Sequence, residues 1–189
     1  MRTSSLAHSV IVVSLVILGV TPALAQTPAG GSASATQFAP TSFLAPTRAT
    51  WDSTRTLVVG LIEAMPEDKW DFKPTPAVRS FREVVAHLIG ENYLFFGRVA
   101  GENPANPAQN LKTRDELLKA LHESYAYGAK VWGDLTEAKA LEMVEGRGGQ
   151  KVQRWSPILI AIQDNMNHYG NLVVYLRLNG VVPPRSARQ

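Results

Sequence analysis

Apolar residues recur at the three-to-four spacing of a helix in four long stretches, and the segments between them do not alternate as strands do. From about Thr47 to Met65, the residues Trp51, Val58, Leu61, Ile62 and Met65 fall on one stripe that stops at Pro66. The second stretch opens with Ser80-Phe81-Arg82-Glu83, a Ser-x-x-Glu capping box in which hydroxyl and carboxylate each satisfy a free backbone N–H. Val84, His87, Leu88, Glu91, Leu94 and Phe95 follow, to about Ala100, and Gly101 supplies the left-handed residue that ends a helix. Thr113-Arg114-Asp115-Glu116 is a second capping box, continued by Leu117, Leu118, Leu121, Tyr125, Val131 and Leu135. The fourth stretch starts at Ser156-Pro157, read as an N-cap with proline at the first helical position. It runs to about Asn179, with Gly180 and Pro183-Pro184 beyond.

The connections carry turn chemistry. Residues 66–79, with Trp70, Phe72, Pro74 and Pro76, read as an ordered loop with a short turn, and residues 101–112 are polar and turn-rich. Gly146-Arg147-Gly148-Gly149 is not a phosphate loop, because no strand precedes it and no Gly-Lys-Ser/Thr follows. A β-turn or short hairpin is expected there. The pattern predicts an all-α protein, a four-helix bundle.

Ahead of the bundle, Val10 to Val20 is almost unbroken apolar sequence between a positive start, Met1-Arg2, and the small-x-small run Ala23-Leu24-Ala25. This predicts a Sec-type signal peptide over residues 1–25. The run is short for a permanent span, so no stable membrane insertion is expected after cleavage. Residues 26–40, uncharged and rich in Ala, Gly, Ser, Thr and Pro, read as a flexible linker. The folded domain is expected over 41–189, ending in a frayed tail, in the periplasm or secreted.

Composition narrows the chemistry. With 45% hydrophobic residues, 189 residues suffice for one core. The formal charge of +3 is spread along the chain without a basic, aromatic-interleaved run, so no nucleic acid partner is expected. Cysteine is absent, which removes disulfides, lipid attachment at a lipobox and any thiol nucleophile, and leaves nitrogen and oxygen to hold a metal.

Asp164 and His168 stand four apart, so on a helix they project one above the other. They share a face with Ala161, Leu172 and Tyr175, and apolar neighbours on both sides point that face inward. His87 occupies the corresponding stripe of the second helix. Buried carboxylates and imidazoles are costly unless paired or metal-bound, so His87, Asp164 and His168 are candidate ligands for one divalent ion. The plain alternative is a helix-surface pair worth roughly 0.2–0.5 kcal/mol. Glu91, one turn after His87, is the candidate catalytic group, as a base on metal-bound water or as a partner orienting a histidine, with a solvent-facing carboxylate as its alternative. Tyr175 bounds the same face or belongs to the core. Arg79 and Arg177 are expected at helix ends or in ion pairs, and His122 lacks a partner at metal spacing.

The stretch "NHYGNLVVYLRLNGVVPPRS" resembles the end of a DinB-like protein, whose last helix commonly carries His-x-x-x-His-Tyr-Gly-Asn/Gln. The earlier "FKPTPAVRSFREVVAHL" resembles the entry to that family's second helix, and together the likeness spans about Thr47 to Ser186. The resemblance implies a four-helix bundle that binds a divalent metal through one histidine on the second helix and two on the last. Carried over, His87 is the first ligand and His168 the third, while Asp164 stands where the family usually has histidine. It further implies a metal (Zn, Ni, Fe or Mn) and a transferase or hydrolase acting on a small-molecule substrate or thiol, or else a non-catalytic binding bundle. A second copy of the chain, as a homodimer, is the macromolecular partner considered.

Intact-mass measurement of the exported protein should show a chain beginning at Gln26. Membrane-bound material retaining Met1 would contradict this.

Overall fold

Both capping boxes form. Ser80 Oγ accepts from the Glu83 N–H at 3.2 Å and Glu83 Oε2 accepts from the Ser80 N–H at 2.6 Å. Thr113 and Glu116 repeat the exchange at 3.2 and 2.9 Å. These boxes open two of the five α-helices in the computed structural model, which describes residues 42–146 and 148–188. The expected signal peptide and linker lie outside the described residues. The helices are α1 (Leu44–Glu63), α2 (Phe81–Ala100), α3 (Arg114–Asp134), a short α4 (Glu137–Leu141) and α5 (Ser156–Leu178). Gly101 closes α2 at φ +79°, a left-handed conformation that glycine enters without steric cost.

The start of α5 departs from the sequence reading. Trp155 is already in helical conformation at the cap position, and Ser156 Oγ donates to the Gln153 carbonyl at 2.8 Å instead of capping. The hydroxyl is engaged by a carbonyl of the preceding turn and makes no cap to a helix N–H.

Helix α2 packs on α3 and α5, and α1 packs on α5 and, more lightly, α3. Thus α1 and α2, consecutive in the chain, stand at opposite corners of an all-α four-helix bundle. Gly128 permits close approach of α2 and α3, since a Cβ there would meet the Phe96 ring at 3.0 Å. The segment between α1 and α2 is anchored by Trp70, which is fully buried and donates through its indole to the Met65 carbonyl at 3.2 Å. Between α4 and α5, β1 (Met143–Glu145) pairs with β2 (Lys151–Gln153) in a small antiparallel hairpin. Arg154 ties that hairpin down, donating to Glu142 Oε2 at 2.9 Å and to the Val99 carbonyl at the end of α2 at 3.1 Å.

The bundle centre is not wholly apolar. Asn92 of α2, Ser124 and Tyr125 of α3 and Asn165 of α5 are all buried and linked in one chain. Tyr125 Oη donates to Asn165 Oδ1 at 2.6 Å, Asn165 Nδ2 to Asn92 Oδ1 at 2.9 Å, and Asn92 Nδ2 to Ser124 Oγ at 3.0 Å. Trp51 of α1 packs against this chain, its ring 5.2 Å from Tyr125 and 4.8 Å from Phe96 between centroids. Burial holds the Tyr125 hydroxyl protonated by pushing its pKa well up, so it remains a donor at all physiological pH.

Replacing Tyr125 with phenylalanine preserves the ring packing and removes only the hydroxyl. Asn165 Oδ1 then loses its tyrosine donor in a dry interior, which should cost about 1–3 kcal/mol. Urea unfolding should show this as a lowered midpoint at unchanged slope. A midpoint equal to wild type would mean the chain of bonds contributes nothing.

Candidate metal site

Helix α5 buries Ile158, Ala161, Asn165, His168, Leu172, Tyr175 and Leu176. His168 is therefore on the core stripe, while Asp164 is one position off it and half-buried. The inward face is rotated slightly from the one read in the sequence, which had Asp164 in place of Asn165. On α2 the core stripe runs through Val84, Val85, Leu88, Ile89, Asn92, Phe95 and Phe96. His87 and Glu91 flank it and are partly exposed, and Leu94, expected inward, is exposed.

The site lies where these flanks face each other. The His87 and His168 rings meet edge to face with centroids 5.0 Å apart. His168 Nε2 lies 3.5 Å from Asp164 Oδ1, long for a good hydrogen bond, and His87 Nε2 lies 3.8 Å from Glu91 Oε1. Asp164 Oδ2 and His168 Nδ1 are buried without any hydrogen-bond partner. The structure thus brings His87, Glu91, Asp164 and His168 into one cluster spanning two helices.

The three expected ligands do not close on a single point. Among the described residues, no three His, Asp or Glu side chains are gathered tightly enough to hold an ion as they stand. His87 is shared between the Glu91 carboxylate on its own helix and the face-to-edge contact with His168. The donor chemistry nevertheless suits a divalent cation. A buried carboxylate oxygen lacks a donor, and two ligands of one tetrahedral ion, each at about 2.1 Å, lie about 3.4 Å apart, close to the Asp164–His168 separation.

Burial sets the protonation states. Desolvation raises the Asp164 carboxyl above its usual range, against the opposing charges of His87 and Arg79. Desolvation likewise lowers the His168 imidazole, reinforced by His87 and Arg79 and opposed by Glu91. A neutral imidazole is the form a metal requires.

The remaining sequence candidates fall elsewhere. His122 faces Glu63 at 3.2 Å on an exposed surface, away from the cluster. Tyr175 is buried, and its hydroxyl donates to the Arg79 carbonyl at 2.6 Å. Arg177, in the last turn of α5, reaches Ser186 Oγ at 3.5 Å. Arg79 stands at the entry to α2, and of the two expected roles it does not take the ion pair, since no carboxylate among the described residues lies within 4.0 Å of its side chain. It lines a cleft of about 660 Å³ that reaches His168. A separate, smaller cleft of about 230 Å³ is lined by His87 and Glu91. The buried asparagines that hold the helices in this rotation were not read from the sequence, although Asn92 and Asn165 both fall at stripe spacing.

A family model described as the DinB family matches residues 47–187. The uncharacterized protein YjoA of Bacillus subtilis strain 168 is 29% identical over 132 residues, covering 68% of this chain and 85% of that one. The crystal structure of that DinB-like protein superimposes with a TM-score of 0.60 at 26% identity, over 71% of this chain and 92% of the other. A DinB-like protein from Bacillus cereus ATCC 10987 gives a TM-score of 0.66 at 9% identity, over 73% and 93% of the two chains. The latter likeness is one of fold alone.

The His168 environment fixes a pH dependence. The folded chain takes up this proton at lower pH than the unfolded chain, whose imidazole titrates at about 6.5. The stability involved is complete above that value and is lost as pH falls from it through the depressed folded value. Asp164 runs the other way, since ionising it costs stability as pH rises from 3.8 through its raised folded value. Urea midpoints measured from pH 8 to pH 5 should therefore fall more steeply for wild type than for His168→Gln. Parallel profiles would show that His168 is not desolvated.

Proposed function

This chain belongs to the DinB family, and from that premise we propose that it is an exported protein that binds a divalent metal through His87, Asp164 and His168. The observation that carries the reading is the 3.5 Å approach of Asp164 Oδ1 to His168 Nε2 beside a second imidazole on the facing helix, with Asp164 Oδ2 and His168 Nδ1 each buried without a hydrogen-bond partner. Two imidazoles and one carboxylate suit zinc, nickel, iron or manganese, and the carboxylate inclines the set towards harder ions than three histidines would. Bound there, the ion would lower the pKa of a thiol or water so that a nucleophile exists near neutral pH.

The chain's own residues supply the rest. Glu91, 3.8 Å from His87 Nε2 and beyond hydrogen-bond distance as it stands, is the carboxylate we assign to steering that imidazole and to taking a proton. The cleft beside His168 admits a small molecule to the cluster. On this reading the protein is a metal-dependent transferase or hydrolase. Export favours hydrolysis, since low-molecular-weight thiols are scarcer and more oxidised outside the cytoplasm.

A second reading is a binding bundle without catalysis. It is favoured by the failure of the three side chains to close on one point as they stand. Metal uptake without any change on adding a thiol or a hydrolysable ester would select it.

Calorimetric titration of the purified mature protein with zinc or nickel tests the site itself. His168→Ala should abolish binding, and Asp164→His should tighten it, since imidazole is the softer ligand. Equal binding by wild type and His168→Ala would remove the metal centre from this protein.

A further inference from the structure

The cleft beside His168 is lined by one arginine among several apolar side chains. Val78 and Val174, both exposed large hydrophobics, line it with Val84, while Arg79 and Asn171 contribute the polar groups. Its volume of about 660 Å³ is that of a small-molecule site.

Arg79 is the informative member. It stands one residue before the Ser80 cap of α2, where a cation faces the positive end of the helix and gains nothing from it. Its side chain is exposed and no carboxylate among the described residues lies within 4.0 Å of it, Asp164 being near enough only for the two charges to be felt. Its backbone is nevertheless held, because the Tyr175 hydroxyl of α5 donates to its carbonyl at 2.6 Å. The structure therefore fixes the root of an unpaired guanidinium at the edge of an apolar cleft that leads to His168.

We propose that this cleft binds a small organic carboxylate, with the carboxylate on Arg79 and the apolar body against Val78, Val84 and Val174. A guanidinium presents a planar fork that matches the two oxygens of a carboxylate. The cleft has no second Lys or Arg, which a phosphate dianion would call for. Asn171 offers an amide to a polar substituent near the His168 end. As an assignment of substrate class, this rests on the reading of His87, Asp164 and His168 as the reactive centre. As a binding site it does not depend on metal.

The test uses the mature chain dialysed free of divalent metal, with 4-phenylbutyrate and its neutral amide as probes in calorimetric titration. Wild type should bind the carboxylate at least tenfold more tightly than the amide. Arg79→Gln, which keeps the backbone carbonyl that Tyr175 holds, should erase that preference and leave amide binding unchanged. Val174→Ser should weaken both probes alike. Equal binding of the two probes by wild type, binding of neither, or a preference that survives Arg79→Gln would each overturn the proposal. Zinc uptake by the same wild-type sample is read separately. Its absence would overturn the metal centre while a retained carboxylate preference would leave the cleft standing.

Discussion

The chain of hydrogen bonds from Tyr125 through Asn165 and Asn92 to Ser124 is the constraint on which the rest of the bundle depends. Apolar packing is tolerant of small rotations, because any greasy surface can meet another. Buried amides and hydroxyls are not, since each unsatisfied group costs about 1–3 kcal/mol. Rotating α2, α3 or α5 about its axis breaks at least one bond of the chain. Fixing Asn165 also fixes its neighbours on α5: Asp164 is turned to the flank of the core, and His168, three residues on, is returned to the stripe. Asn92 does the same for Glu91 and His87 on α2. The candidate site is thus a by-product of how the centre of the bundle is satisfied.

Much of the fold was legible because helix signals are local. Ser80 and Thr113 start helices where their capping boxes stand, and Gly101 ends one in the conformation its missing side chain permits. Ser156 misled, because a serine before proline looks like a cap, and only the position of the Gln153 carbonyl shows that its hydroxyl is engaged elsewhere. The inward rotation of α5 was off by one position for a related reason. A sequence shows that Asn165 is polar but not that partners 40 and 73 residues away will bury it. Non-local satisfaction of polar groups leaves no mark at the level of periodicity.

The site was legible to about the same depth. Helical spacing places Asp164 beneath His168, and the stripe of α2 places His87 on a face that can meet them. The state of His87, shared between Glu91 and the His168 ring, depends on two contacts of similar reach that spacing does not rank. For Arg79 the sequence offers a helix end or an ion pair. That no carboxylate lies within 4.0 Å of it emerges only once the surrounding carboxylates are located, and what sets its cleft apart is that it reaches His168.

The corner-to-corner placement of α1 and α2 has a consequence for the order in which the protein can be made. Neither of the first two helices offers the other a full partner, so both wait for α3 and α5 to complete the ring. A chain emerging from the ribosome without its final helix exposes Asn92 and Tyr125 with no Asn165 to answer them, within otherwise apolar faces. Such a three-helix fragment lacks both its core closure and its polar lock. The core closure and the polar lock of the bundle therefore both rest on α5, and a chain without that helix can satisfy neither.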